Sequence, residues 1–404
     1  MIVKQLCAAA AGIALLAGGA DAEAPMRGGQ APGWYRMTLG KFEITALSDG
    51  TIQAPVDRFL HGVPPAREKA LLERAYLESP VETSVNGFLV NTGRKLMLID
   101  AGAGGLYGPV LGKLVANLEA SGYAPEQVDE LYMTHLHGDH VGGITRAAGG
   151  AVFPNAVVRV DAKDADHWLS HKNLDAASAD EKASFKSAMD SVKPYADTGR
   201  FKPFSGATEL APGIHAIPAH GHTPGHTVYA IESEGRKLVV WGDMVHVAAV
   251  QFPHPTATWS ESDSRLALAQ RLKHLADASK KGYYVALAHV AFPGIGRLRA
   301  EGSGYVWVPV VYSTSVAAPG PAASIVGSGM FASDSGQTIR ADYRDDGTVT
   351  LLFADGITKV LSQAVSGSGA RYVSGSYEWW EQQGEATYSV DGKRVFLGKR
   401  DPTH

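Results

Sequence analysis

The run Thr134-His135-Leu136-His137-Gly138-Asp139-His140-Val141-Gly142-Gly143 packs three imidazoles and one carboxylate into six residues, directly after the apolar stretch 131–133. This crowding constrains the fold more than any other feature, because such donors belong where a buried strand turns into a loop. Imidazole nitrogen and carboxylate oxygen are the ligand set of zinc and its first-row neighbours, and their density suggests two ions sharing one short loop. Buried without metal, unpaired histidines and an acid would be strongly unfavourable.

At 404 residues the chain exceeds the ~250–300 at which a single core stops growing, which predicts a large domain plus something smaller. Hydrophobic content of 45% and charge of 19% place it among ordinary globular proteins. A net charge of -4 with no basic run excludes a nucleic-acid binder, which needs clustered Lys and Arg.

The first residues read as an address. Lys4 supplies a positive start, 6–17 an apolar stretch, and Ala20-Asp21-Ala22 a small-residue cleavage site, so residues 1–22 are expected to be a signal peptide and the mature chain to begin at Glu23. Export to a periplasm or beyond follows. The apolar stretch is shorter than the ~20 residues of a spanning helix, and no second candidate appears, so no membrane span is expected after cleavage. Cleavage also removes Cys7, the one cysteine, leaving histidines and acids to carry catalysis.

Short apolar runs at 42–47, 87–91 and 95–99 predict strands, and Leu111, Leu114, Val115 and Leu118 predict a helix closed by Gly122. Residues 161–197 are polar and Ala/Lys-rich with sparse apolar positions, as in a helical insertion carrying Trp168, Phe185 and Tyr195. Strands return at 213–217, 228–232 and 237–241. A helix follows with Leu266, Leu268, Leu272 and Leu275 as its apolar set, then a strand at 283–287. Two passes of strands, then a helix, then a strand ending in histidine predict an α+β fold, an αββα sandwich over 35–315 with its site along one edge. A Pro/Ala/Gly linker at 316–326 leads to a small all-β domain at 327–402, with strands at 338–343, 348–353, 358–361 and from 377 through 396.

The remaining ligands are sought at strand ends: Gly221-His222-Thr223-Pro224-Gly225-His226, Trp241-Gly242-Asp243 and Ala288-His289. They complete two sets, His135, His137 and His222 with Asp243, and Asp139, His140 and His289 with the same Asp243, whose two oxygens can bridge two cations. Spacing leaves His220 and His226 as competitors of His222. Asp139 could also accept a proton, and Asp100, after the strand ending at Ile99, is placed to orient a ligand histidine.

The order HLHGDHVGG, GHTPGH, WGD and strand-end histidine resembles the metallo-β-lactamase superfamily. Gly104-Gly105-Leu106-Tyr107-Gly108-Pro109, the run 246–252 and the segments 289–296 and 307–313 are similar to its methyl parathion hydrolase branch. That resemblance implies His222 as the ligand and places substrate-pocket aromatics on Tyr107, Trp168 and Phe185, with Tyr107 standing where the family usually has phenylalanine. In the tail, Ser368-Gly369-Ala370-Arg371-Tyr372, Trp379-Trp380 and Gly384-Glu385-Ala386 resemble the lysozyme-inhibitor domain of the membrane-bound c-type family, although Gln382 or Gln383 stands where that family's lysine is expected and its disulfide cysteines are absent.

The expectation is therefore an exported hydrolase that uses two divalent ions, zinc first with manganese, cobalt or iron as alternatives, and a bridging hydroxide to cleave phosphotriesters, esters or lactones. Metal binding lowers the pKa of water from ~15.7 toward ~7, which supplies that nucleophile. Its partners would be a small-molecule substrate and, through the tail, lysozyme or cell wall, with a homodimer left open. Two alternatives remain: a wall- or lysozyme-binding protein, and a lactonase or β-lactamase activity of the same fold.

Overall fold

The computed structural model describes residues 26, 28–314, 324–345, 347–374 and 376–401; the expected signal peptide, its cleavage point and most of the linker lie outside the described residues. Of these, 32–401 belong to one unit.

A first sheet runs β1 (Trp34–Leu39), β2 (Phe42–Ala54), β3 (Val81–Asn91), β4 (Leu96–Ile99), β5 (Glu130–Tyr132), β6 (Val157–Arg159), in that spatial order. Its early strands pair antiparallel, whereas β4, β5 and β6 are parallel. Parallel strands need covered faces, and the sequence supplies them with unbroken apolar runs: all four residues of β4 are buried. Helices α1 (Val56–Phe59) and α2 (Pro65–Arg74) follow β2, α3 (Leu114–Ala120) follows β4, and α4 (Gly138–Val141) follows β5. The insertion forms three helices, α5 (Ala162–Trp168), α6 (His171–Ala176) and α7 (Ala179–Ala196), the last opened by a Ser178/Glu181 capping box.

The second sheet contains β7 (Thr208–Ala211), β8 (Ile214–Pro218), β9 (Thr227–Ser233), β10 (Arg236–Val240), β11 (Tyr284–Ala286), β12 (Ile295–Glu301) and β13 (Gly304–Pro309), ordered from β13 to β7. Between β10 and β11 come α8 (Ala248–Gln251) and α9 (Ser264–Lys281). The inner faces share one core in which Ile44, Phe88, Met97 and Ile99 meet Ile214, Ile231, Leu238 and Val240, and Tyr132 stacks on Tyr229 at 5.5 Å. Residues of α3 and α7 cover the outside of the first sheet, and α9 covers the second through Leu275 and Ala278. The result is the αββα sandwich.

Two local expectations shift. In α9, Leu266 and Leu272 of the expected apolar set are exposed, and the buried face is Ala267, Arg271, His274, Leu275 and Ala278. Apolar spacing predicts a helix from Leu111, but α3 begins at Leu114. The buried Asp49 carboxylate accepts the amides of Ala103, Gly112 and Leu114 at 2.9–3.0 Å, which holds the preceding segment as a loop.

The tail is a closed eight-stranded barrel: β14 (Ile325–Ala332), β15 (Thr338–Arg344), β16 (Thr348–Phe353), β17 (Thr358–Ala364), β18 (Ala370–Ser374), β19 (Tyr377–Gln382), β20 (Glu385–Val390) and β21 (Lys393–Arg400). Pairing of β14 with β21 shuts it and removes both sheet edges. Phe331, Leu351, Leu361, Trp379 and Phe396 fill its interior.

Candidate metal centre

The ligand loop leaves β5 and is pressed against its neighbour. A Cβ on Gly143 would sit 1.9 Å from the Ala101 carbonyl oxygen, so the last glycine of the run is required by close approach. Across the cleft, Gly242 holds φ +53°, turning the chain after β10 so that Asp243 follows with its side chain buried.

The structure converges the seven side chains singled out as ligands. Donor atoms of His135, His137, His222 and Asp243 lie within 4.8 Å of one another, as do those of Asp139, His140 and His289. Asp243 stands between the groups. Its Oδ2 lies 3.2 Å from His222 Nε2 and 3.7 Å from His135 Nε2, and its Oδ1 lies 3.0 Å from His140 Nε2 and 3.1 Å from His289 Nε2. His140 Nε2 and Asp243 Oδ1 are both buried and lack a hydrogen-bond partner despite that approach. Orphaned buried polar atoms are expensive, at about 1–3 kcal/mol each, and a shared divalent cation satisfies both, so the donor set fits a metal pair.

Four of the five ligand imidazoles are oriented from behind. His140 Nδ1 meets Asp100 Oδ2 at 2.8 Å, while Thr134 donates its amide to Oδ1 and its hydroxyl to Oδ2 of the same carboxylate at 2.8 Å. Asp100 itself takes the left-handed backbone (φ 56°), uncommon for a residue bearing a Cβ. His135 Nδ1 faces the Thr134 hydroxyl at 3.0 Å, His289 Nδ1 the Ser84 carbonyl at 3.0 Å, and His222 Nδ1 the Glu261 carboxylate at 2.8 Å. Such contacts fix the tautomer that leaves the other nitrogen free for a cation.

Electrostatics differ from one imidazole to the next. Burial, reinforced by His140, holds His135 well below its usual pKa, and burial with His222 pushes His137 down to about 3. For His222 burial again lowers the pKa but is outweighed by Asp243 and Glu261, which push it up to about 10. Burial likewise opposes ionisation of Asp243, but His140 and His289 keep its carboxyl well below the usual range.

His226 and His220 separate from His222. His226 turns away from the cleft, its Nε2 accepting the Asp243 amide at 3.1 Å and its Nδ1 facing Ala219 O at 3.2 Å, so it supports the bridging residue's backbone. His220 lies 3.6 Å from Asp161. Asp164, unremarked in the sequence, accepts the amides of Leu136 and Gly225 and so ties the two ligand loops together; burial pushes its carboxyl up to about 6. His246 was also passed over as a ligand: its Nε2 lies 3.1 Å from Asp243 Oδ2 and its ring stacks on Trp259 at 4.7 Å. Its place three residues after Asp243 was the available signal.

The cluster floors a cleft of about 680 Å³ lined by Phe59, Trp168, Glu181, Trp259 and Glu261 among others. Trp168 reaches it and meets His137 edge-on at 5.2 Å, whereas Phe185 packs behind Trp168 at 4.7 Å. Tyr107 is half exposed, its hydroxyl lying over Gly138 of the ligand loop.

Residues 80–276 match the family model of the metallo-beta-lactamase superfamily. A crystal structure of AbOPH, a hydrolase of the beta-lactamase superfamily, is 37% identical, superposes with a TM-score of 0.67, and is covered over 100% of its length by 70% of this chain. The chain belongs to the metallo-β-lactamase superfamily. Within this superfamily it is also similar to AidC, a dizinc quorum-quenching lactonase, at 27% identity and a TM-score of 0.65, over 70% of this chain and 99% of that one. A probable metallo-hydrolase of Mycobacterium tuberculosis is 28% identical over 174 residues, 40% of this chain; the match spans about half of that relative, 54% of its length. The sandwich is thus that of a metal-dependent metallo-β-lactamase-fold hydrolase. Residues 331–395 match the membrane-bound lysozyme-inhibitor of c-type lysozyme family. Among the described residues no helix is long and apolar enough to cross a membrane.

Proposed function

We propose that the protein is an exported two-metal hydrolase of neutral esters, with lactones, aryl esters and phosphotriesters as its substrate class. The divided Asp243 carboxylate carries this reading, since each of its oxygens approaches a different histidine group. His135, His137 and His222 would hold one ion and Asp139, His140 and His289 the other, with Asp243 serving both. When bound, a pair of divalent ions, zinc by preference, supplies Lewis acidity toward water and toward the electrophile's oxygen. Asp139 opens onto the cleft and is the carboxylate placed to accept a proton there.

Charge selects the substrate. Among the described residues lining the cleft there is no lysine or arginine, while Glu181 contributes an acid that is not part of the ligand cluster. An anion such as a β-lactam carboxylate or a phosphodiester would enter past Glu181 with no Lys or Arg to hold it, its counter-charge limited to the proposed ions. A neutral ester or lactone meets no such barrier, and Trp168, Phe59 and Trp259 offer it apolar walls. Similarity to the lactonase AidC supports the lactone branch.

The test is a ranking of catalytic efficiency for metal-analysed protein on acyl lactones, aryl esters, aryl phosphotriesters and a chromogenic β-lactam. Neutral substrates should lead; a β-lactam ranked first would overturn the reading. Export is tested by sequencing the N-terminus of protein recovered outside the cytoplasm, expected to begin at Glu23.

The barrel favours an additional role in wall or lysozyme contact, because of its family match. Its Ser366–Gly369 loop is exposed and is held by Trp380 Nε1 donating to Ser368 O at 2.9 Å. Undiminished lysis by a c-type lysozyme in excess full-length protein would remove inhibition from that role.

A further inference from the structure

His222 is supported by a different part of the fold from His140 and His289, although Asp100 also reaches His135 through the Thr134 hydroxyl. Asp100 and the Ser84 carbonyl, both from the first sheet, stand behind His140 and His289. Behind His222 stands Glu261, whose side chain is fully buried, with Oε2 2.8 Å from His222 Nδ1 and Oε1 accepting Arg271 Nη2 at 2.7 Å and the Trp259 amide at 3.2 Å. Arg271, from the inner face of α9, is itself 1% exposed. Its other nitrogens are also committed: Nε donates to Met244 O at 2.6 Å and Nη1 to Ala257 O at 3.0 Å.

One guanidinium therefore reaches His222 and the backbone beside the shared Asp243. Through Glu261 it holds the ring of His222, and through Met244 O it holds the residue that follows Asp243. The loop carrying Glu261 is stitched to the His222 loop as well, Ser262 N to His222 O at 3.1 Å and Asp263 N to Gly221 O at 2.8 Å, and Asp263 caps α9. A planar, always charged fork with five donors can satisfy three acceptors in fixed directions, which lysine cannot. A buried ion pair is a poor source of net stability, so its placement behind a ligand calls for another role.

We propose that Glu261 and Arg271 are a positioning pair for the ion held by His135, His137 and His222, and that they leave the Asp139, His140 and His289 ion largely untouched. This rests on the two-ion reading of the cluster. Loss of an outer partner of a ligating histidine typically lowers metal affinity about 10–100-fold. The pair thus makes the two ions separable by mutation although they share Asp243.

The experiment is a chelator titration of metal-loaded full-length protein, reading metal content per chain and melting temperature together. Wild type should hold two ions. Glu261→Gln, which keeps shape but removes the charge, should lose one ion at about 10–100-fold lower chelator and retain the second at the wild-type midpoint. Arg271→Lys should fall between them, since one contact at a time can be recovered. Asp100→Asn should weaken the other ion more, with a smaller effect on the first through Thr134 and His135. Two ions of unchanged affinity in Glu261→Gln, or parallel loss of both in Glu261→Gln and Arg271→Lys alike, would overturn the pairing. A wild-type chain that holds fewer than two ions would sink the two-ion reading and this inference with it.

Discussion

The sandwich and the barrel bury different things. Every buried polar or charged side chain among the described residues lies between Thr45 and His289, whereas the barrel's buried side chains are apolar or aromatic, from Phe331 to Phe396. Burying histidines and carboxylates is unfavourable unless each finds a partner, and the sandwich meets that demand with Asp100, Ser84, Glu261 and the proposed ions. The barrel has no such demand and is held by ring packing such as Phe331 against Trp379 at 5.1 Å. Chemistry therefore belongs to the first region, and whatever the second recognises must be read on its surface.

The sharpest way to break this contrast is to remove the shared ligand. Asp243→Ala should lower catalytic efficiency by about 10³-fold or more, the scale on which loss of a charge-stabilising group in an active site is felt, and should reduce bound metal. His135→Ala should behave similarly. Full activity with full metal content in either variant would remove the site assignment. The matching change in the barrel is Trp379→Ala, which deletes a fully buried side chain and should destabilise that domain by about 3–5 kcal/mol while leaving hydrolysis of a small ester unchanged. Loss of hydrolysis there would show that the regions are coupled.

Chelation probes the contrast at a smaller scale. Ligand bound at 100 times its dissociation constant stabilises a fold by about 2.7 kcal/mol, so stripping metal should lower the sandwich's unfolding transition by that order and leave the barrel's in place. Equal shifts in both would mean that the two unfold as one.

The same division explains what the sequence revealed. The His135–His140 run, Asp243 and His289 were legible because polar residues that end apolar strands stand out against their pattern. The αββα order was legible from strand and helix periods. Glu261 and Arg271 were not, because a buried acid in a Ser-rich loop and an arginine on an amphipathic helix look like solvated residues until the fold brings them to His222. The choice of His222 over His226 turns on the Thr223 turn, where Gly221 N and His226 N both approach Thr223 O, at 3.0 and 3.4 Å, and that geometry has no spacing signature. In the barrel, β18 was read only as a motif, since its half-exposed residues carry weak alternation and its place is set by pairing with β17 and β19.

The smallest expected effect lies at Trp168, where core and cleft meet. Its ring touches His137 on one side and Phe185 on the other, so it could serve packing alone or packing and substrate together. Trp168→Phe preserves an aromatic ring but gives up roughly 40 Å² of apolar surface, worth about 1 kcal/mol at ~25 cal/mol per Å². If that surface contacts substrate, KM for an aryl ester should rise about 5-fold with kcat and metal content little changed, and a short-chain aliphatic ester should show less. If the ring is core alone, the melting temperature should fall instead and KM should stay where it was. Comparing the two esters against the melting curve therefore places Trp168 on one side of the boundary between the buried framework and the surface that selects the substrate.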